Sequence, residues 1–143
     1  MQEFIKHPVF KIITRAVNEI GSPAYVVGGY VRDKVMKRKS VDIDIVVVGD
    51  GIKVAQRFAA LIGSGAKVTV FKNFGTAMVN YPSDEMWQIE FVGARKESYS
   101  RNSRKPVVAS GTLEDDQNRR DFTINALAIG LNKENLGQLI DPF

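Results

Sequence analysis

The segment Asp42-Ile43-Asp44 follows closely on Gly28-Gly29-Tyr30-Val31-Arg32-Asp33. A strand alternates its side chains, so Asp42 and Asp44 would share one face. Two carboxylates so placed repel unless a cation lies between them. Hard divalent ions take oxygen ligands of this kind, commonly one or two carboxylates together with substrate phosphates. Upstream, the apolar run from Ala24 to Val27 leads into the double glycine and then a helix-like stretch. That layout lets backbone N–H groups and a helix start meet an anion. Arg32, about one turn into the helix, can reach back to the same anion with a fork of donors suited to phosphate. A metal-binding pair beside a phosphate cradle points to nucleotidyl transfer.

Each feature alone has a plainer reading. A lone Asp-x-Asp is usually a solvated strand end. Here Val46 and Val48 continue the same face, which turns from charged to apolar as it would where a buried strand emerges at a site. A double glycine is often only a tight turn. This one lacks the Lys-Ser/Thr ending of a P-loop and does not fit the three-glycine dinucleotide fingerprint. In Met86-Trp87-Gln88-Ile89-Glu90-Phe91-Val92 the even positions form one face, and Trp87, Ile89 and Phe91 the other. Glu90 is the candidate third carboxylate, against an ordinary solvent-facing glutamate.

The composition bounds the alternatives. At 143 residues and 44% hydrophobic content, one domain with its own core is expected. There is no cysteine, hence no disulfide partner, thiol nucleophile or zinc-thiolate site, and His7 is the single histidine. No apolar stretch approaches the ~20 residues of a membrane span, and no signal-peptide pattern opens the chain. A net charge of +4 favours polyanionic partners only mildly.

The elements that must hold these residues alternate between helix and strand, without repeats. Residues 8–20 have helical apolar spacing, with Pro8 in the first turn and Gly21 after the end. A short buried strand is expected at 24–27, a helix at 30–37, a central strand at 42–48 and a helix at 51–62. Strands at 66–72, 76–81 and 86–94 follow, the first two forming a hairpin around Asn73-Phe74-Gly75. Residues 95–112 lose all periodicity. The basic stretch 95–105, with five basic residues and one acidic, reads as a solvated loop that could add affinity for a polyanion. Residues 113–131 resume as helix, and 138–140 as a last edge strand. Together they give a mixed sheet in an α/β or α+β arrangement.

Three motifs in this order resemble one family. Gly-Gly-x-Val-Arg-Asp at 28–33, Asp-x-Asp at 42–44 and Arg119-Arg120-Asp121-Phe122-Thr123-Ile124-Asn125-Ala126-Leu127-Ala128 are similar to the bacterial tRNA nucleotidyltransferase/poly(A) polymerase family. These are the CCA-adding enzymes and their relatives, class II of the DNA-polymerase-β-like superfamily. The closing Ile140-Asp141-Pro142-Phe143 is similar too. The resemblance implies an α/β (α+β) nucleotidyltransferase head over residues 1–143, a mixed sheet flanked by helices, within a longer cytoplasmic polypeptide with helical neck, body and tail domains. It implies Mg²⁺-dependent, template-independent transfer of AMP or CMP from ATP or CTP to the 3′-hydroxyl of tRNA. Asp42, Asp44 and Glu90 would be the catalytic, metal-holding carboxylates. Gly28, Gly29, Arg32, Arg120 and Asn125 would bind the nucleotide, and Asp33 and Asp121 would orient arginines or cap. The basic loop corresponds to a flexible family segment tied to catalysis and the RNA end.

Glu114-Asp115-Asp116-Gln117-Asn118-Arg119 superficially resembles the family's base-selecting Glu-Asp-x-x-Arg element. Asn118 stands where arginine is needed, and the element belongs after the Arg-Arg-Asp motif, so it is absent here. A poly(A) polymerase of the same family shares every motif and is the nearest alternative. A small-molecule nucleotidyltransferase disagrees with Arg-Arg-Asp-Phe-Thr-Ile-Asn. A non-catalytic RNA-binding module of the same fold disagrees with intact Asp42, Asp44 and Arg120.

Overall fold

The computed structural model describes residues 5–36, 42–63, 66–82, 86–99, 106–110 and 127–140. Helix α1 (Pro8–Ile20) starts where His7 Nδ1 accepts the Val9 N–H at 3.1 Å. Pro8 at its first turn gives up an N–H that would have had no helical partner. Gly21 ends the helix at φ 82°, a left-handed conformation that favours glycine. Helix α3 (Gly51–Ile62) is capped by Asp50, whose Oδ1 accepts the Lys53 N–H at 3.1 Å. Between them lies the short α2 (Gly29–Val35), two residues shorter than the 30–37 expectation at its end and one longer at its start.

Among the described residues seven strands make one sheet: β1 (Ala24–Val27), β2 (Asp42–Val47), β3 (Val68–Phe71), β4 (Thr76–Pro82), β5 (Met86–Gly93), β8 (Ala128–Gly130) and β9 (Leu139–Ile140). Their order is β3-β4-β5-β2-β1-β8-β9. Only β2 and β5 pair in parallel; every other neighbouring pair is antiparallel. The β3–β4 hairpin turns through Lys72–Phe74 and Gly75, as the sequence suggests.

Alternation assigns the two faces. Val26, Ile43, Ile45, Ile89 and Phe91 are fully buried against Phe10, Ile13 and Val17 of α1 and Val54 and Phe58 of α3. The Phe58 and Phe91 rings meet in a tilted contact, their centres 5.4 Å apart. Gly51 permits this closeness: a Cβ there would meet Gly93 N at 2.9 Å and Phe91 O at 3.1 Å. The helix therefore starts directly on the backbone of the strand that carries Glu90. On the opposite face a smaller cluster of Val27, Val46, Ala94 and Ala128 is buried, with Tyr25, Val48 and Ile140 packed against it. No member of that cluster comes from a described helix.

Two sequence expectations fail. Residues 95–112 are not patternless: β6 (Arg95–Tyr99) and β7 (Pro106–Ser110) pair as an antiparallel ribbon, Arg95 opposite Ser110 and Tyr99 opposite Pro106. A ribbon whose strands satisfy one another needs no buried face, so no apolar alternation marked it. The helix expected over 113–131 is a strand at its end, because Ala128–Gly130 finds backbone partners in β1 and β9. Residues 113–126 of that expectation lie outside the described residues.

Tyr30 of α2 lies between Phe10 (5.3 Å) and Trp87 (6.4 Å). Burial holds its hydroxyl in the neutral form well above the ordinary tyrosine value of 10.0. Below that value the phenol is neutral in both folded and unfolded chains, and the native state keeps its full advantage. As pH rises through it, the unfolded chain ionises first and stability falls. Alkaline unfolding followed by circular dichroism should therefore shift to higher pH in Tyr30→Phe. An unchanged midpoint would remove Tyr30 as a cause.

Candidate active site

Pairing register builds the site. Val27, the last residue of β1 before Gly28-Gly29, is the Cα partner of Asp44. On its other side Asp44 is the partner of Glu90, in the parallel β2–β5 pair. Neighbouring strands run about 4.8 Å apart. One row across the sheet thus sets the double glycine, Asp44 and Glu90 side by side. Asp42, two residues earlier on the same face, pairs with Gln88. Among the described residues no helix contributes to the cluster buried on this face. Asp42 is exposed, Asp44 and Glu90 are partly exposed, and Val46 behind them is buried. The change from charged to apolar expected along β2 is present.

The glycine turn behaves as a cradle requires. Gly28 is buried with φ 70°, and its carbonyl accepts the Arg32 N–H at 3.0 Å. The Arg32 guanidinium folds back over Gly29, its Nη2 lying 3.4 Å from where a Cβ would stand. Arg32 Nε also donates to Asp33 Oδ1 at 3.3 Å, so Asp33 orients the arginine from the rear. The pairing expected of Asp33 is realised through its immediate neighbour.

The donor set suits a hard divalent cation, since carboxylate oxygens on one face are its preferred ligands. Among the described residues, Asp42, Asp44 and Glu90 included, no group of three Asp, Glu or His side chains is placed to hold a metal ion unaided. An ion here would take the rest of its shell from water and from a ligand's phosphates. Arg120 and Asn125 lie outside the described residues. Ala128, three positions beyond Asn125, is the register partner of Val27, so the chain leaves that motif beside the strand that delivers the glycines.

Sequence reasoning missed one anchoring group. Asn132 Oδ1 accepts the Ala24 N–H at 2.8 Å and its Nδ2 donates to Ser22 O at 2.9 Å. This clamp fixes the start of β1, whose end bears the glycines. A single Asn in a turn carries no sequence signal for a partner so distant in the chain.

Residues 24–143 match the family described as Poly A polymerase head domain. The A-adding tRNA nucleotidyltransferase of Aquifex aeolicus is 42% identical over 120 residues, covering 84% of this chain and 14% of that protein. A CCA-adding enzyme solved in an apo form superposes with a TM-score of 0.80 at 37% identity, over 94% of this chain and 31% of that one. A tRNA nucleotidyltransferase solved with a primer tRNA and an incoming ATP analogue gives a TM-score of 0.70 at 34% identity, over 92% of this chain and 34% of that one. The chain thus spans about a third or less of these relatives' lengths.

Proposed function

We propose that this chain, which belongs to the Poly A polymerase head domain family, is the catalytic head of a template-independent RNA nucleotidyltransferase that extends the 3′ end of tRNA. The observation that carries this reading is the row Val27–Asp44–Glu90, which brings a phosphate cradle and oxygen ligands together. In the reaction the RNA 3′-hydroxyl loses its proton to solvent as its oxygen forms a bond to the α-phosphorus of ATP or CTP. The bond from that phosphorus to the β-phosphate bridging oxygen breaks, and pyrophosphate leaves. AMP or CMP is thereby added. A poly(A) polymerase of the same family would use this head identically, and the RNA each extends separates the two.

Asp42, Asp44 and Glu90 would hold Mg²⁺, which when bound offsets triphosphate charge and makes the 3′-hydroxyl more acidic. The Arg32 fork, steadied by Asp33, lies over Gly29, from where it would meet the phosphates and offset charge gathering on the leaving pyrophosphate. Gly29 lets the backbone approach them without a side chain between. Arg120 is assigned to the same phosphates, and Asn125 to sugar or phosphate. No described helix is long and apolar enough to cross a membrane. The cytoplasm, where tRNA ends are built, is the proposed place of work.

All of these groups recognise the part that every nucleotide shares. The 143-residue chain should therefore bind ATP, CTP, GTP and UTP with similar, weak affinity in the presence of Mg²⁺, measured by calorimetry. Gly29→Ala should fold normally, because its Cβ would meet only the flexible end of Arg32, yet weaken all four equally. Strong preference for ATP and CTP would place base selection within these residues and overturn this assignment of roles. Extension of tRNA but not of unstructured RNA would favour the tRNA enzyme over the poly(A) polymerase.

A further inference from the structure

The sheet face that carries the carboxylates is closed on one side of them and open on the other. Toward β1 it is sealed, since Val27 and Val46 are fully buried. Toward β5 and β4 it is exposed. Asp42 is the register partner of Gln88, and Gln88 in turn of Asn80; all three side chains are exposed. Carried one residue beyond the Val68–Val79 pair, the β3–β4 register sets the exposed Lys67 opposite Asn80. One row thus runs from a carboxylate through two amides to an ammonium, over three strand spacings or roughly 14 Å. Beside it on the same face, Met86 lies opposite Pro82, Met86 58% exposed and Pro82 exposed as well. A polar row flanked by an apolar strip matches a ribose-phosphate backbone with its bases alongside.

We infer that this row holds the 3′-terminal nucleotides of the RNA, with Gln88 and Asn80 on ribose and phosphate oxygens and Lys67 on a phosphate further back. The inference rests on the nucleotidyltransferase reading. That reaction brings two substrates to the carboxylates, and the glycine turn with Arg32 folded over it is assigned to the triphosphate. The turn follows Val27 on the β1 side of Asp44, whereas the row lies on the β5 side. The open side is therefore left to the RNA. Side-chain amides donate to phosphate oxygens and exchange hydrogen bonds with a 2′-hydroxyl, while lysine adds attraction without reading sequence. Met86 and Pro82 offer apolar surface to the face of a base. Contacts of this kind suit an RNA end that changes with each added nucleotide, because none of them reads a base edge.

The test is steady-state incorporation by the full-length protein, with RNA and nucleotide varied separately. Gln88→Ala and Asn80→Ala should each raise KM for RNA on the order of fivefold, the size of one net hydrogen bond, and leave KM for ATP unchanged. Lys67→Glu should do the same at low salt, and its effect should shrink as salt rises. Lys53→Glu, an equal charge change at an exposed position of α3, should leave both constants unchanged. A rise in KM for ATP in place of KM for RNA would give the row to the incoming nucleotide and overturn the inference. So would an unchanged KM for RNA in all three row variants, or equal losses in Lys67→Glu and Lys53→Glu. A second arm needs no turnover: RNA bearing a photoreactive 3′-terminal nucleotide should crosslink to residues 80–88 of the wild-type protein. Crosslinks confined to other segments would overturn the inference. Crosslinks at 80–88 in a protein that incorporates no nucleotide would uphold it and count against the nucleotidyltransferase reading alone.

Discussion

Asp44→Asn is expected to lower nucleotide incorporation into tRNA at least a hundredfold, a loss typical of removing one preorganised electrostatic group from a transition state. Asp42→Asn should do nearly as much. Asparagine keeps the shape of aspartate, but its neutral oxygen is a far poorer ligand for a hard cation. Asp44 is the central member of the row, between Val27 and Glu90, so no neighbouring carboxylate can replace it from the same register. Glu90→Gln should be milder, because Glu90 lies one strand further from the glycine turn. Neither Asp variant should lose fold, since a partly exposed polar substitution typically changes stability by only about 0.5 kcal/mol. Incorporation is best measured in the full-length protein, with thermal unfolding of the 143-residue chain as the control. Wild-type-like incorporation by Asp44→Asn would sink the metal assignment, while an unaffected Glu90→Gln would return Glu90 to an ordinary surface glutamate.

The sequence made the local parts of this site legible, but not the juxtaposition on which the chemistry depends. Helices α1 and α3 could be bounded to the residue because their stop and start signals are local: Pro8 and Gly21 for one, a clean apolar face for the other. Strands β1 and β2 were readable as short apolar runs. That Asp44 stands beside Glu90 is a different kind of fact. It depends on the parallel pairing of β2 with β5 across an intervening helix and hairpin, and parallel register leaves no mark in either segment. The resemblance to a family supplied Glu90; alternation alone gave only its face. The errors share this cause. In β8, Ala128-Ile129-Gly130 reads equally well as the end of an apolar helix, and only partners on both sides make it a strand. Local pattern fixes which face a residue takes, whereas non-local hydrogen bonding decides what it faces.

Gly130→Ala should destabilise the fold by about 3 kcal/mol or more, in the upper range of overpacking costs. A Cβ at Gly130 would collide with the backbone carbonyl oxygen of Asn135, and would lie 2.6 Å from both Asn135 Cγ and Oδ1. Backbone cannot move aside as a flexible side chain can. The turn over β8 is held from both ends: Gly130 N–H donates to Gln138 O at 2.9 Å and Gly137 N–H donates to Gly130 O at 3.0 Å. Asn132 ties the same turn to the start of β1. Relief of the collision therefore means breaking the β8–β9 pairing or the Asn132 clamp, each of which supports the strand that carries the glycine cradle. The matched control is Gly21→Ala. Its Cβ would find nothing within 4 Å, so only the left-handed backbone at φ 82° resists, at about 1 kcal/mol. Calorimetric melting should place Gly130→Ala roughly 10 °C below the parent and Gly21→Ala only a few degrees below it. Equal melting temperatures for the two variants would mean that the 131–138 turn does not press on β8, and the frame proposed for the glycine cradle would fall with it.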